Sequence, residues 1–289
     1  LWANSGHTII LAFRVSEVLL HDPIVVFTSG SPPNNIIPQS RITYTNINTE
    51  EFIWTAEYIV DTDDSGNNLE GEYRDNEGSV TFAISNITDL ACNPVKDIVT
   101  GGGVTFDRTP PEVEYVTSMI SDGYYNVTPD EVIPIIVKFN EVVYIGTNLP
   151  KPNIILDVGV DYNVEYSEGS GTDTFIFNYT VLNTHNSPNL NYVRHDPLIL
   201  NGGLIQDAAG NDAILTLPGF EEENSLGNNK NIIIDTIAPE IIGTPEIHSS
   251  NDTGFATFGN IITLIFTTNE GIETPHVYLG NREIVDNSI

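Results

Sequence analysis

Short runs of apolar residues alternate with polar positions along the whole chain. Runs at 8–15 and 79–84 are rich in β-branched and aromatic residues, and further runs lie at 23–27, 41–44 and 51–60. Clusters of Gly, Asn, Asp and Pro separate such runs about every 8–12 residues, which is the pattern of short antiparallel strands. No stretch keeps the 3.6-residue apolar period of an amphipathic helix. The sequence therefore predicts an all-β chain of antiparallel sandwiches.

One junction motif occurs twice and divides the chain. An apolar strand ends in Asp, a proline follows after a short spacer, and apolar alternation then resumes; the copies are 104–113, with Asp107, and 233–241, with Asp235. Proline cannot donate to a β-ladder, so the motif is typical of a linker between strands. We therefore predict three modules. They are a sandwich lacking its first strand at 1–106, a complete sandwich at 107–234, and the first part of a third module at 235–289.

Two other motifs repeat at corresponding places in these modules. A strand that contains Phe is expected to end at Glu17, Glu141 and Glu270. The motif Asp-x-Ala-x-Asn begins at Asp89 in the first module and at Asp207 in the second, although Leu90-Ala91 stands in one and Ala208-Ala209 in the other. The repetition indicates that the modules share one design.

Together these motifs resemble the immunoglobulin-like repeats of giant bacterial surface adhesins and related extracellular proteins. The first module resembles a sister type of repeat through 54–58 (Trp-Thr-Ala-Glu-Tyr). The second carries the segments 107–111 (Asp-Arg-Thr-Pro-Pro), 139–141 (Phe-Asn-Glu), 166–172 (Tyr-Ser-Glu-Gly-Ser-Gly-Thr) and 207–211 (Asp-Ala-Ala-Gly-Asn). The resemblance implies tandem immunoglobulin-like sandwiches in a linear rod and an extracellular or cell-surface location. Cys92 departs from it, because that family usually has glycine there.

An immunoglobulin-like strand order would bring the acidic motifs together at one pole of each module. The second strand and the loop after the sixth strand lie at the pole where the linker enters, so Asp107, Glu141 and Asp207 should meet there, with Asn211 or Asp212. Several oxygen ligands suit Ca²⁺, and the resemblance also implies calcium at such junctions. The alternative is that these side chains only cap turns. The corresponding candidates in the other modules are Asp235, Glu270, Glu17 and Asp89.

A second candidate calcium site lies in the acidic segment 61–72. It has the acidic or hydroxyl residues of an EF-hand loop at Asp61, Asp63 and Ser65 and the final acid at Glu72, with Gly66 at the turn. The flanking segments are predicted strands and not helices, so no EF-hand domain is expected. A solvated acidic turn is the alternative.

Four sequons are candidates for N-linked glycans, at Asn86, Asn126, Asn178 and Asn251. Asn178 alternates with apolar neighbours and should face outward. The alternative is that these asparagines are unmodified, since Asn is common in this chain.

The charge limits the possible partners. Ten Lys and Arg residues against 40 Asp and Glu give a formal net charge of −30, which would repel nucleic acid and anionic membranes. Cys92 is the single cysteine, so no disulfide framework within the chain is possible. No apolar run reaches the roughly 18 residues of a membrane span. We find no motif for a catalytic nucleophile, a phosphate loop or a metal-binding histidine pair, and expect no enzyme activity.

The two ends suggest incomplete sandwiches, which expose strand edges. Either a longer chain continues the array of adjacent repeats, or copies of the chain join head to tail by strand complementation. We therefore predict a structural segment of an extracellular filament or rod. The alternative is an adhesin stalk or binding module that recognises a glycan or a protein at a cell surface.

Overall fold

The structure is a computed structural model that describes residues 1–30, 35–48, 52–60, 76–95, 99–127, 132–193, 198–251, 254–280 and 282–284. The predicted acidic site at 61–72 and its residues Asp61, Asp63, Ser65 and Glu72 lie outside this described part. Almost every element is a strand, so the prediction of an all-β sandwich is confirmed. Among the described residues, no helix is long and apolar enough to cross a membrane.

The strands of the first module are β1 (Trp2–Ala3), β2 (Thr8–Arg14), β3 (Ile24–Ser29), β4 (Asn35–Ile36), β5 (Thr43–Asn48), β6 (Ile53–Ile59), β7 (Gly78–Ser85) and β8 (Val99–Phe106), with a 3₁₀ turn at Gln39–Arg41. They form a five-stranded sheet in the order β1-β8-β7-β3-β4 and a three-stranded sheet in the order β2-β6-β5. Alternation along β3 buries Val25 and Phe27, and the Phe27 ring lies 5.0 Å from that of Tyr58 on β6. These inward positions form one apolar core.

A short strand precedes β2, which the sequence pattern did not indicate. Trp2 and Ala3 pair in parallel with Thr105 and Phe106 of β8. The next residue of the linker, Asp107, donates its N–H to the Ala3 carbonyl at 2.9 Å. The start of the first module is thus tied to the strand that leads into the second.

The strands of the second module are β9 (Val113–Ser118), β10 (Gly123–Tyr125), β11 (Val132–Ile145), β12 (Asn153–Asp157), β13 (Asp161–Glu168), β14 (Thr172–Thr180), β15 (Asn191–Tyr192), β16 (Ile205–Gln206) and β17 (Ile232–Ile234), with one helical turn, α1 (Leu226–Asn229). The main sheet has the order β15-β12-β13-β14-β11-β16, β9 pairs with β11, and β10 pairs with β17. Because β13 pairs with both β12 and β14, it connects the β15-β12 part of this sheet to the β14-β11 part. The core includes Phe175, whose ring lies 5.2 Å from Phe139 and 5.0 Å from Tyr166.

The strand predicted to end at Glu141 runs on to Ile145, so that predicted end is wrong. The reason is burial: Val143 is fully buried and pairs with Thr172, while the register of β11 against β14 shifts between Lys138 and Val143. Such a bulge bends a strand and redirects its side chains. It allows β11 to continue the core while Glu141 lies at the junction.

The residues after Ile234 form hairpins. These are β18 (Ile241–Ser249) with β19 (Ile262–Thr268), and β20 (Val277–Leu279) with β21 (Arg282–Ile284). None of the described residues beyond Ile234 belongs to either core cluster. Ile247 of β18, for example, is 65% exposed, whereas Val116 of β9 is fully buried.

Candidate cation site at the first junction

The linker positions Asp107 immediately after β8. Its Oδ1 accepts the N–H of Thr109 at 3.0 Å, which is the side-chain turn that Asp commonly forms with the residue two positions on. Pro110 and Pro111 follow, and their rings fix φ. Asp107 therefore stands on a segment with little conformational freedom.

The bulged strand β11 holds the far end of the linker. Asn140 donates its N–H to the Glu112 carbonyl at 3.0 Å, and its side-chain Oδ1 accepts the Glu112 N–H at 2.9 Å. Glu141 is the next residue and is partly buried. The two residues of the repeated Asn-Glu motif thus have different roles: Asn140 binds the linker by hydrogen bonds, and Glu141 places a carboxylate at the junction.

Asp207 organises the third segment, the loop after β16. Its Oδ1 accepts three backbone N–H groups, from Ala209 at 2.8 Å, Gly210 at 2.7 Å and Asn211 at 2.8 Å. The Asn211 side chain donates to Asp207 Oδ2 at 2.7 Å and to the Asp107 carbonyl at 3.1 Å. The loop is folded around a buried carboxylate and is bonded directly to the linker.

These three segments bring Asp107, Glu141 and Asp207 together. One carboxylate oxygen from each lies within 4.8 Å of the other two. In the described part of the chain, none of the ion pairs involves these three residues. Asp212 turns away, since its Oδ1 accepts the Gln206 amide at 2.8 Å. Both of these hydrogen bonds of the Asn211 side chain are made by its amide nitrogen, so its Oδ1, the atom that could bind a metal, is not used in them.

The electrostatics of the cluster disfavour three negative charges. Burial, followed by repulsion from Asp107, Asp207 and Glu77, raises the pKa of Glu141 to about 7. Burial also raises the pKa of Asp107, with Asp207 and Glu77 adding repulsion and the Thr109 N–H opposing it. Three close carboxylates without a cationic partner form a set that a divalent cation would neutralise. Their oxygens are the hard ligands that Ca²⁺ takes in irregular geometry.

The second junction repeats the linker geometry. Asp235 donates its N–H to Tyr125 at 3.0 Å, and its Oδ1 accepts the N–H of Ile237 at 3.1 Å. Asn269 exchanges with Glu240 the same two bonds that Asn140 makes with Glu112, at 3.0 and 2.7 Å. Oε1 of the neighbouring Glu270 is buried without a hydrogen-bond partner. Within the described residues, Asp235 and Glu270 are not joined by a third acid into a cluster.

The first module repeats the loop but not the cluster. Asp89 Oδ1 accepts the N–H groups of Ala91 at 2.9 Å and Asn93 at 2.7 Å, while the Asn93 amide donates to Oδ2 at 2.8 Å. These bonds lower the pKa of Asp89. Asp89 and Glu17 line one surface cavity, but the described residues add no third acidic ligand there. Asp89 thus forms the turn, and its role as a metal ligand stays a prediction.

The tight turn at Cys92 forms without a glycine. Cys92 has φ of 69°, and Gly210, the corresponding residue of the second module, has φ of 94°. The Cys92 N–H donates to the Asp89 carbonyl at 3.0 Å. An L-residue is strained in this left-handed region, so the chain keeps the turn at some cost in stability.

The sequons differ in accessibility. Asn178 and Thr180 are both exposed on β14, as alternation predicts, and the Asn178 amide donates to Ser167 Oγ at 2.9 Å. Asn86 is exposed at a turn with φ of 57°. Asn126 is exposed and Asn251 partly buried, but the threonine of each of these two sequons lies outside the described residues.

Glu77 is the residue at this site that the sequence gave no reason to select. It lies just before β7 in the first module, and its Oε1 accepts the Arg108 N–H at 3.0 Å and the Thr109 hydroxyl at 2.9 Å. Asn4 of the first module is also near, since a Cβ atom at Gly210 would lie 3.5 Å from its Nδ2. The junction therefore includes side chains of the first module in addition to those of the linker.

Comparison with known proteins gives a distant structural likeness. No family model matches the sequence, and no curated protein matches it. The structure is similar, with a TM-score of 0.36 and 16% identity, to a chain described under "Structural insight into host cell surface retention of a 1.5-MDa bacterial ice-binding adhesin". The match covers 87% of this chain and 66%, slightly less than two thirds, of that chain.

Proposed function

We propose that the chain is a structural, non-catalytic segment of an extracellular rod whose module junctions are stiffened by calcium. The observation that carries the proposal is the convergence of Asp107, Glu141 and Asp207 from the linker, a strand bulge and a loop. A cation held by all three would connect segments that are far apart in the sequence. The same rod could serve as the stalk of a surface adhesin.

The alternative is that these residues only form turns, and the setting of Glu141 supports the cation instead. Asp107 Oδ1 and Asp207 Oδ1 are occupied by backbone N–H groups. Glu141, in contrast, has a raised pKa of about 7 that reflects burial and repulsion. A residue kept only to cap a turn would gain nothing from this position, whereas a cation would offset both costs.

Calcium titration of the chelator-treated chain tests the proposal. We expect saturable binding by calorimetry, a higher unfolding temperature of the second module, and proton release near pH 7 as Glu141 ionises. Glu141→Gln should abolish binding at this site, whereas Asp89→Asn, in the matching turn of the first module, should not affect it. An unchanged unfolding temperature and no binding heat in the unaltered chain would leave only turn formation.

Strand complementation between copies is a second candidate, and the free strand edges favour it. In the second module β11 pairs with both β9 and β14, whereas in the described residues β2 pairs only with β6, and β19 only with β18. Strand β18 of one copy would exchange its partner β19 for β2 of another copy and would take there the place that β9 has beside β11. A contact of this kind does not close and would build filaments.

Sedimentation and electron microscopy of the purified chain test this second candidate. We expect concentration-dependent, end-to-end oligomers that are lost in Ile247→Pro, because proline removes a ladder donor from β18. Val160→Pro, at an exposed position in a turn of the second module, is the control. A chain that stays monomeric at high concentration would exclude assembly by this route.

We also propose an N-linked glycan at Asn178 when the chain passes a glycosylating secretory route. The exposure of both Asn178 and Thr180 supports it. We expect a mass shift on enzymatic deglycosylation that is smaller by one glycan in Thr180→Ala; an equal mass shift in both chains, or none in the parent, would argue against it.

A further inference from the structure

The linker between the first two modules is fastened on both sides. Toward the second module, the Asn211 amide donates to the Asp107 carbonyl, and the Ile214 N–H donates to the Pro111 carbonyl at 2.8 Å. Toward the first module, the Asp107 N–H bonds to Ala3, and Glu77 accepts bonds from Arg108 and Thr109. Glu77 is the acidic side chain of the first module that takes part in this fastening.

The second junction has an uncharged residue in the place of Glu77. Gly78 pairs with Phe106, and Ser187 forms the corresponding bridge with Ile234, so Glu77 and Asn186 precede equivalent positions. Asn186 Oδ1 accepts the N–H of Thr236 at 3.0 Å, as Glu77 Oε1 accepts that of Arg108 at 3.0 Å. An amide oxygen is therefore sufficient to hold the linker. The negative charge of Glu77 is not needed to form that bond, although it strengthens it.

Thr109 connects Glu77 to the carboxylate cluster, since its hydroxyl donates to Glu77 Oε1 at 2.9 Å and its N–H donates to Asp107 Oδ1 at 3.0 Å. Glu77 is among the groups whose repulsion raises the pKa of both Asp107 and Glu141, so its charge reaches the cluster across the module boundary. Arg108 offsets it only in part, with Nε 3.8 Å from Glu77 Oε1. Since the Glu77 side chain is 39% exposed, salt will screen this effect, and it is greatest at low ionic strength.

We propose that Glu77 couples cation binding at the Asp107–Glu141–Asp207 cluster to the orientation of the first module on the second. The inference rests on the cation site proposed above. A cation in the cluster attracts the Glu77 carboxylate and strengthens its hold on Arg108 and Thr109, so the first module becomes fixed when the site is filled. Glu77 is a positioning residue here, because it acts through the linker and the charge of the cluster.

The test combines calcium affinity with a distance measurement in the full chain at low ionic strength. Cys92 is the single cysteine and is exposed, so it provides one labelling site in the first module. Val160→Cys, at a position 54% exposed, provides the second in the adjoining module. Pulsed electron–electron double resonance between the two spin labels then reports the distribution of intermodular distances without and with calcium.

We expect calcium to narrow this distribution in the labelled parent chain. Glu77→Gln keeps an oxygen that can accept the linker bonds but removes the charge. It should weaken calcium binding about fivefold or more, which is within the usual range of coupling between sites. With calcium bound, the distribution of intermodular distances should stay broad in this variant. Glu168→Gln, which removes an exposed carboxylate from β13, should behave as the parent. The emission of Trp54 reports whether the first module remains folded.

Two contrary results have different meanings. If the parent binds calcium and Glu77→Gln shows the same affinity and the same narrowing, the coupling role of Glu77 is wrong, while the cation site stands. If the parent binds no calcium, the proposed cation site fails and the coupling fails with it.

Discussion

Replacing Asp207 with alanine would remove the centre of the loop that faces the first junction. The residue is 6% exposed, and its Oδ1 accepts three backbone N–H groups at 2.7–2.8 Å. A hydrogen bond to a charged group contributes about 1.5–3 kcal/mol, and a buried donor left without a partner costs about 1–3 kcal/mol. Asp207→Ala also relieves repulsion with Glu141, so the full sum is not reached. We expect a loss on the order of 3 kcal/mol in the second module.

Two variants separate the causes of this loss. Asp207→Asn keeps an oxygen that can accept the same N–H groups, so it should retain most of the stability while losing a cation ligand. Asp89→Ala removes the matching side chain of the first module, which is only partly buried there; water can replace it, and we expect a much smaller loss. The pair thus compares one loop design in a buried and in a partly exposed setting.

The chain offers a natural way to follow the two modules separately. Both tryptophans, Trp2 and Trp54, lie in the first module, so tryptophan emission follows that module while circular dichroism follows all sheets. In guanidinium unfolding, Asp207→Ala should shift the dichroism transition and leave the emission transition in place. Hydrogen exchange should rise at the amides of 209–211. An unshifted transition, or an equal shift for Asp89→Ala, would refute the reasoning.

Three further changes have expected outcomes. The pKa of Glu141 is raised from 4.5 to about 7 in the folded state, so the folded state holds an extra proton between these two pH values. Without a cation, the thermal stability of the second module should therefore fall as the pH rises through this window. Melting curves at about pH 5 and about pH 8 should show this fall in the parent chain, and Glu141→Gln should remove it. Cys92→Gly should raise the stability of the first module by about 0.5–1 kcal/mol in guanidinium unfolding, because φ of 69° suits glycine; no gain would mean that the turn is unstrained. Gly169→Ala should lower the free energy of unfolding by at least about 3 kcal/mol, since φ is 119° and the new Cβ would lie 1.9 Å from the Thr174 carbonyl oxygen. Gly103→Ala, whose Cβ would meet nothing within 4 Å, should cost far less. Equal losses in the two variants would contradict the clash.

The three-carboxylate cluster could be predicted from the sequence because each member belongs to a repeated motif. The prediction assumed an immunoglobulin-like strand order, in which the linker Asp, the Glu of the second strand and the Asp of the later loop share one pole. The structure places oxygens of Asp107, Glu141 and Asp207 within 4.8 Å of one another, as this argument requires. Topology was sufficient here, since it needs no knowledge of individual rotamers.

Other features depended on packing that a sequence pattern does not contain. The strand carrying Glu141 was expected to end there, but the burial of Val143 extends β11 through a bulge. Asn211 was a candidate ligand, and its amide nitrogen also fastens the loop to the linker by donating to the Asp107 carbonyl, a bond that the motif did not indicate. Such outcomes follow from which polar group has a free partner, and this is decided only when the chain is folded.

Glu77 shows why motif matching underestimates a junction between modules. The motif around Asp107 recurs around Asp235 with the same side-chain turn, at 3.0 and 3.1 Å, so the sequence predicts the local geometry of both linkers. The side chain that accepts a backbone N–H of each linker, however, comes from a segment distant in the sequence: the charged Glu77 at one junction and the uncharged Asn186 at the other. Under the cation binding proposed above, equivalent linkers would therefore differ in how strongly they respond. Their difference is determined by the preceding module and cannot be inferred from the linker motif alone.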